Sequence, residues 1–207
     1  MGTKEEPFDL LHPQPLLVVI SGPSGVGKDS VIKGLKARDL KLHFVVTATS
    51  RAARPDEVDG KDYFFYSREE FAKRIENGEF IEHAMVYGDY KGIPCCEIED
   101  AINCGQDVIL KVDVQGAATI RRLYPHALLI FLIPRNYEEW YNRLAQRNTE
   151  DKENFKLRVE TSLREVSQVN LFDYVVINSE NRLEDAVDDI ISIIRAEHLA
   201  VNPRVIS

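Results

Sequence analysis

Apolar residues in this chain form short unbroken runs, and stretches with helical spacing separate these runs. The runs are rich in Val, Ile and Leu and have the length of strands that are buried on both faces of a sheet. They cover residues 16–21, 107–112, 127–133 and 174–177. The helical patterns between them cover residues 28–37, 116–123, 137–146, 155–169 and 183–197. This alternation predicts an α/β fold, in which helices cover both faces of a parallel sheet.

Two regions interrupt the alternation. Residues 46–94 are rich in Gly, Asp, Tyr and Arg and contain short alternating segments, which predicts a small α+β insertion. Residues 147–154 are polar and lie between two helices, so we expect a mobile flap, with a lid over about 147–158. The predicted organisation is an extension at 1–15, a core of 16–45 and 95–200, the insertion, and a tail at 201–207.

Composition narrows the functional classes. The chain is 44% apolar and 29% charged, which is typical of a globular protein, and no apolar run reaches the ~20 residues of a membrane helix. The net charge of -8 argues against a general nucleic-acid-binding protein, although a local basic cluster can still bind a small phosphorylated ligand. The three cysteines lack the spacing of a disulfide framework or a metal site, so we expect free thiols that are packing or bystander residues.

The segment GPSGVGKDS follows the first apolar run and opens the first helical pattern. Glycines allow backbone N–H groups to curl around a phosphate, Lys28 adds a positive charge, and the helix N-terminus adds further donors. Ser or Thr usually follows the lysine and contacts Mg2+. Here Asp29 takes that position, and Ser30 lies about 100° further around the helix. The predicted phosphate-binding residues are Gly22, Pro23, Ser24, Gly25, Val26, Gly27, Lys28, Asp29 and Ser30.

The insertion carries a second set of phosphate-binding side chains. Arg51 and Arg54 lie three residues apart, and Tyr63 follows them. Two guanidinium groups and a phenol can clamp a monophosphate. Arginines in a loop are more often solvated, so the phosphate loop upstream is what favours this interpretation.

Three further segments follow the phosphate loop in order: SRAARPDEVDGKDYFF, NGEFIEHAMVYGDYKG and VDVQG. With that loop they resemble the guanylate kinase family, over about residues 16–197. The combination of GVGKD and YKGIP is more similar to the plant plastid and mitochondrial members than to bacterial or cytosolic ones. The resemblance implies a P-loop NTPase-like core, a GMP-binding insertion and a short lid. It also implies transfer of the γ-phosphate from ATP, with Mg2+, to GMP and to dGMP.

The resemblance assigns a role to each matching residue. Glu82 would bind the guanine base with Asp113 as its partner, and Thr47 would lie near the base. The GMP phosphate would be bound by Arg51, Arg54, Tyr63 and Lys91, the last of which replaces a tyrosine of the family. Ile93 stands where a small hydroxyl residue is common. On the ATP side the roles fall to Lys28, to the lid arginines Arg147 and Arg158, and to Asn178 near the nucleoside. The implied catalytic residues are Lys28, Arg51, Arg147 and Arg158.

Base chemistry supports the role of Glu82 independently. Guanine presents N1–H and an exocyclic amine on one edge, and a carboxylate can accept both hydrogen bonds. Adenine has a lone pair at N1, so a site built around Glu82 should reject AMP.

Two alternatives stay open. A guanylate-kinase-like module that has lost catalysis would bind protein partners, although such modules typically degrade the phosphate loop that is intact here. A kinase for another nucleoside monophosphate would share the phosphate sites, but Glu82 with Asp113 favours guanine. The resemblance alone suggests a plastid or mitochondrion, with the cytoplasm as the alternative, and we expect no transit peptide in this chain.

The resemblance implies a hydroxyl residue at position 29 and an acid at position 111, whereas this chain has Asp29 and Lys111 there. An aspartate beside a triphosphate is repulsive unless a cation lies between them. We therefore expect Asp29 to bond Lys111 and to orient Mg2+ through its waters, because Mg2+ loses water reluctantly. The alternative is that both residues are exposed and unrelated.

Overall fold

A computed structural model describes residues 13–55, 57–86, 88–146 and 152–206. The strands are β1 (Leu17–Ser21), β2 (Leu42–Phe44), β3 (Ala48–Thr49), β4 (Phe64–Phe65), β5 (Phe80–Val86), β6 (Asp89–Pro94), β7 (Asp107–Lys111), β8 (Leu128–Ile133) and β9 (Tyr174–Ile177). The helices are α1 (Lys28–Lys36), α2 (Arg68–Glu76), α3 (Cys95–Asn103), α4 (Val114–Leu123), α5 (Tyr137–Gln146), α6 (Lys152–Val166) and α7 (Leu183–His198).

Five parallel strands form the central sheet in the order β2-β7-β1-β8-β9. Successive side chains of a strand point to opposite faces, and β1 is buried throughout. Val18 and Ile20 belong to an apolar cluster with residues of α1 and α7. Leu17 and Val19 belong to a second cluster with residues of α3 and α4. Helices therefore cover both faces of the sheet, and the predicted α/β fold class is confirmed.

A second sheet is built from strands that all lie between residues 48 and 94, in the order β4-β3-β6-β5. The hairpin of β5 and β6 is antiparallel, and α2 packs against it through Phe71. The ring of Phe71 stacks on Phe80 and Tyr90 at centroid distances of 4.4 and 5.2 Å. Aromatic stacking of this kind adds to the apolar burial that holds the small sheet together. Whether residues 46–94 move as one unit remains a prediction.

The positions of several elements differ from the sequence predictions. The predicted helix at 155–169 begins at Lys152 and ends at Val166, and a 3-10 turn follows at Val169–Leu171. Residues 152–158 of the predicted lid are therefore helical, while residues 147–151 lie outside the described residues. β2, α2 and α3 were not predicted from the sequence as separate elements.

The carboxyl ends of β1 and β7 lie side by side, because Ile20 pairs with Lys111 in register. The segment after β1 therefore meets the segment after β7 at one edge of the sheet, where ligands of open α/β folds bind. Among the described residues, none of the helices combines the length and the apolar character needed to cross a membrane.

Candidate active site

Residues 22–30, the phosphate loop, connect β1 to α1. Gly22 and Gly27 have φ angles of 145° and 94°, which side-chain-bearing residues rarely adopt. A Cβ at Gly22 would lie 2.4 Å from the backbone oxygen of Leu132, and one at Gly27 would lie 2.5 Å from Asn178 Nδ2. Both positions thus require glycine for conformation and for space.

The carbonyl groups of the phosphate loop are held from outside. Trp140 Nε1 donates to the Ser24 oxygen at 2.8 Å, and Asn178 Nδ2 donates to the Val26 oxygen at 2.8 Å. Arg143 Nη1 donates to the backbone oxygen of Asn178 at 2.9 Å. Side chains of α5 and of the segment after β9 therefore fix the loop from its outer side.

Lys28 lies within the loop, and its side chain is only partly exposed. Its Nζ donates to the backbone oxygens of Gly22 and Pro23 at 2.5 and 3.2 Å. Burial lowers the pKa of Lys28 below its ordinary value, and the nearby carboxylates of Glu165 and Asp29 oppose that shift. An ammonium group held in this way can be transferred from carbonyl oxygens to phosphate oxygens.

A cavity of about 300 Å³ opens beside Lys28; we call it the acceptor cavity. Six residues predicted for the site line it together: Lys28, Thr47, Tyr63, Glu82, Lys91 and Asp113. Lys111, His83, Ile93 and the glycines Gly92 and Gly116 complete most of the remaining wall. Apolar Ile93, which is buried, offers no side-chain hydrogen bond to a ligand in the cavity.

Glu82 and Asp113 lie together in the acceptor cavity. Burial and the charge of Asp113 raise the pKa of Glu82 above its ordinary value. Asp113 caps α4 by accepting a 2.8 Å hydrogen bond from the Gly116 N–H. A Cβ at Gly116 would lie 2.9 Å from Glu82 Oε2, so glycine leaves room for that carboxylate. The pair forms an anionic site that suits a ligand edge with two hydrogen-bond donors.

Arg51 is held by a residue that the sequence analysis missed. Glu57 accepts hydrogen bonds of 2.6 Å from both Nη1 and Nη2 of Arg51, and its Oε2 also accepts the Arg54 N–H at 2.9 Å. The guanidinium lies over the Tyr63 ring, 5.0 Å from its centroid. Arg51 and Arg54 thus meet around Glu57 and are absent from the described lining of the acceptor cavity.

Asp29 and Lys111 form the expected ion pair. Lys111 Nζ donates to Asp29 Oδ1 at 2.5 Å. Their side chains are 42% exposed for Lys111 and 70% exposed for Asp29. The pair lies where the first turn of α1 meets the end of β7, beside Lys28.

Helix α6 presents one face to the phosphate loop. Arg158, Ser162 and Glu165 have the spacing of one helical stripe, and Ser162 is buried. The carboxylate of Glu165 lies near Lys28 and the Ser24 N–H, and its Oε2 is buried with no hydrogen-bond partner in the described part of the chain. Burial raises the pKa of Glu165, and the charge of Lys28 opposes the shift.

The remaining predicted residues are spread around this centre. Arg147 lies outside the described residues, and Arg158 is half-buried on α6. Ser30 is exposed on α1. The Asn178 side chain is buried and bonded to the loop, so its predicted contact with the ATP nucleoside stays a prediction. All three cysteines are free thiols. No group of three or more His, Cys, Asp or Glu residues that could bind a metal occurs in the described part of the chain.

Two carboxylates, Glu57 and Glu165, are the main site residues that sequence reasoning missed. Glu57 stands in an acidic, polar loop and looks like a solvated residue there. The available signal was that Glu57 follows Arg54 by three residues. At this spacing a turn brings the Glu57 carboxylate to the Arg54 N–H. Glu165 could have been found from its place one helical stripe along from Arg158.

Comparison with known proteins gives a consistent family. The sequence profile described as "Guanylate kinase" matches residues 14–197. The chain is 52% identical to the rice "Guanylate kinase 2, chloroplastic/mitochondrial", over 94% of this chain and 69% of that protein. It is 44% identical to the guanylate kinase of Thermotoga maritima, over 89% of this chain and 88% of that protein.

Solved structures agree. The crystal structure of guanylate kinase from Anaplasma phagocytophilum matches with a TM-score of 0.70 and 31% identity. The match covers 92% of this chain and 90% of that one. The phosphate loop, the acidic pair of the acceptor cavity and these matches lead to one conclusion: the chain belongs to the guanylate kinase family.

Proposed function

We propose that this protein transfers the γ-phosphate of ATP to GMP, and to dGMP, giving ADP and the nucleoside diphosphate. One observation carries the proposal. Lys28 of the phosphate loop and the Glu82–Asp113 pair line the same cavity. A donor phosphate site and an anionic base site therefore open onto one space, as direct transfer between two nucleotides requires.

The acidic pair selects the acceptor base. Guanine offers N1–H and its exocyclic amine to Glu82, and the partly buried setting makes a mismatch expensive. Adenine presents an acceptor at N1 and would leave the partly buried carboxylate without its partner. Glu82 thus supplies specificity for guanine over adenine.

We call the four residues Arg51, Arg54, Tyr63 and Lys91 the clamp. The clamp positions the acceptor phosphate. Arg51 is fixed by Glu57 on one edge and by the Tyr63 ring on its face, so its guanidinium keeps one orientation. Its remaining N–H groups, with Arg54, Tyr63 and Lys91, bind the GMP phosphate and point an oxygen toward the donor. Lys28 binds the donor phosphates after leaving the carbonyl oxygens of Gly22 and Pro23.

Lid closure completes the site. Arg147 and Arg158 neutralise the migrating phosphoryl group, and the closed lid excludes water, which is a competing nucleophile. Glu165 lies beside Lys28 and the backbone of Ser24, so movement of α6 changes the surroundings of the phosphate loop.

The carboxylate of Asp29 fits a role toward Mg2+, because this exposed oxygen donor lies at the first turn after the phosphate loop. Mg2+ in kinases is bound by one or two carboxylates together with substrate phosphates, and it neutralises phosphate charge. Asp29 would act through the waters of the ion. The resemblance to the rice chloroplastic/mitochondrial relative supports a plastid or mitochondrial location for this chain.

A coupled assay that detects ADP tests the proposal with GMP, dGMP, AMP and UMP as acceptors. We expect turnover with GMP and dGMP that exceeds turnover with AMP and UMP by at least about a hundredfold. Turnover with none of the four would favour a protein-interaction module. A preference for AMP or UMP would instead identify a different nucleoside monophosphate kinase.

A further inference from the structure

We propose that Lys111 is a binding residue for the acceptor phosphate, and that Asp29 holds its ammonium beside the phosphate loop until GMP arrives. This inference rests on the proposed function and adds a cation to the same site. It concerns Lys111, the last residue of β7.

Lys111 occupies a position between donor and acceptor. It ends β7, pairs in register with Ile20 of β1, and therefore adjoins the strand that leads into the phosphate loop. It lines the acceptor cavity together with Lys28. It also lines a neighbouring cavity of about 260 Å³, to which Glu57 contributes. Thr47, Tyr63 and Lys111 belong to both walls, so Lys111 stands on the Tyr63 side, where the clamp would hold a phosphate.

A further cation beside the clamp would strengthen binding of the acceptor phosphate. Both Nη atoms of Arg51 already donate to Glu57, whose negative charge offsets that of the guanidinium. The neighbouring Glu82 and Asp113 are acidic and oppose the arrival of a phosphate dianion. Among the described residues, three lysines line the acceptor cavity: Lys28, Lys91 of β6 and Lys111.

The Asp29 contact can be exchanged at little cost. Exposed ion pairs contribute about 0–1 kcal/mol, and both partners here are substantially exposed. A phosphate carries about −1.5 to −2 charges at neutral pH against −1 for a carboxylate, so it is the stronger partner for an ammonium group. Asp29 also offsets the repulsion between Lys28 and Lys111 in the empty site. Asp29 thus holds the Lys111 ammonium group close to the position in which it would bind the acceptor phosphate.

The test compares binding of GMP and of guanosine, with neither ATP nor Mg2+ present, by ligand-observed NMR titration. Lys111→Met should weaken GMP binding on the order of tenfold, because a charge-assisted hydrogen bond is lost. Guanosine lacks the phosphate, so its affinity should stay within about twofold of the wild type. Lys111→Arg should retain most of the GMP affinity. Lys33→Met, which removes an exposed lysine from α1, controls for net charge.

A second comparison isolates Asp29. Asp29→Asn should strengthen GMP binding by about threefold, because Lys111 then binds the phosphate without first breaking an ion pair. That gain should vanish in Asp29→Asn/Lys111→Met, since the two residues are coupled.

The inference is overturned if Lys111→Met leaves GMP affinity unchanged or weakens guanosine binding equally. It is overturned as well if Asp29→Asn has the same effect in both backgrounds. Failure of the wild type to bind GMP would instead reject the proposed function itself. Thermal denaturation of each variant verifies that the comparison is made on folded protein.

Discussion

Glu57 holds the guanidinium of Arg51 with two hydrogen bonds of 2.6 Å. The hydrogen bonds from Arg51, followed by that from the Arg54 N–H, lower the pKa of Glu57 from 4.5 to about 2. A carboxyl group with a lowered pKa stabilises the folded state at pH values above its unfolded pKa. That contribution is lost as the pH falls through the folded pKa. The loss therefore occurs between pH 4.5 and about pH 2.

We predict that Glu57→Gln makes the Tm depend less on pH below pH 4.5. The wild-type Tm should fall between pH 4.5 and pH 2 by more than the Tm of the variant, because only the wild type gains this proton on unfolding. Thermal denaturation at several pH values measures both curves. Glu76→Gln, at the exposed end of α2, is the matched control and should follow the wild type. Parallel curves for Glu57→Gln and the wild type would contradict the prediction.

Lys28→Met should lower turnover at least about a hundredfold, because the developing phosphate charge loses a preorganised cation. The free energy of unfolding should fall by no more than about 2 kcal/mol, since two hydrogen bonds to loop carbonyls are removed. Steady-state kinetics and urea denaturation provide the two measurements, with Lys33→Met as the control for charge. Normal turnover in Lys28→Met would remove residues 22–30 from the donor site.

Glu82→Gln should weaken guanosine binding and leave ATP binding intact. The amide keeps the size of the side chain but presents NH2 to a guanine donor, and the charge-assisted bonds are lost. The expected cost is about 1.5–3 kcal/mol, or roughly 10- to 150-fold in affinity. Separate titrations with guanosine and with ATP measure the two effects. Equal loss for both ligands would indicate a general disturbance of the fold.

Asp113→Asn should lower the pKa of Glu82, because it removes the neighbouring negative charge while burial remains. The amide oxygen can still accept the Gly116 N–H, so the cap of α4 is retained. Titration of 13C-labelled glutamate side chains follows Glu82 directly, with Glu82→Gln used to assign its signal. A raised or unchanged pKa in the variant would show that Asp113 does not act on Glu82 through its charge.

Much of the core was predictable because its signals are local. β1 reads as an unbroken apolar run, since β7 and β8 flank it and helices cover both its faces. The phosphate loop was predictable for a different reason: glycine spacing reflects backbone needs that are visible in the sequence. β2 was missed because its three residues are only partly buried and form an edge, which leaves a weak apolar pattern.

The side-chain partnerships of the site were harder to predict, apart from the ion pair of Asp29 and Lys111. That pair was visible because two departures from the family pattern compensate each other in charge. The bond between Glu57 and Arg51 depends on how a polar loop turns, and polarity alone is compatible with full solvation. The reach of Glu165 to Ser24 depends on the packing of α6, which brings together positions far apart in the chain.

The anchoring of the phosphate loop by Trp140 and Asn178 has a thermodynamic consequence. Ordering a flexible backbone costs about 1–2 kcal/mol of conformational entropy per residue. A loop whose carbonyl groups are already held loses little further freedom when a triphosphate arrives. Most of this ordering cost falls on the folding of the chain, so the affinity for nucleotide is sensitive to Trp140 of α5 and to Asn178 after β9, which hold the loop from its outer side.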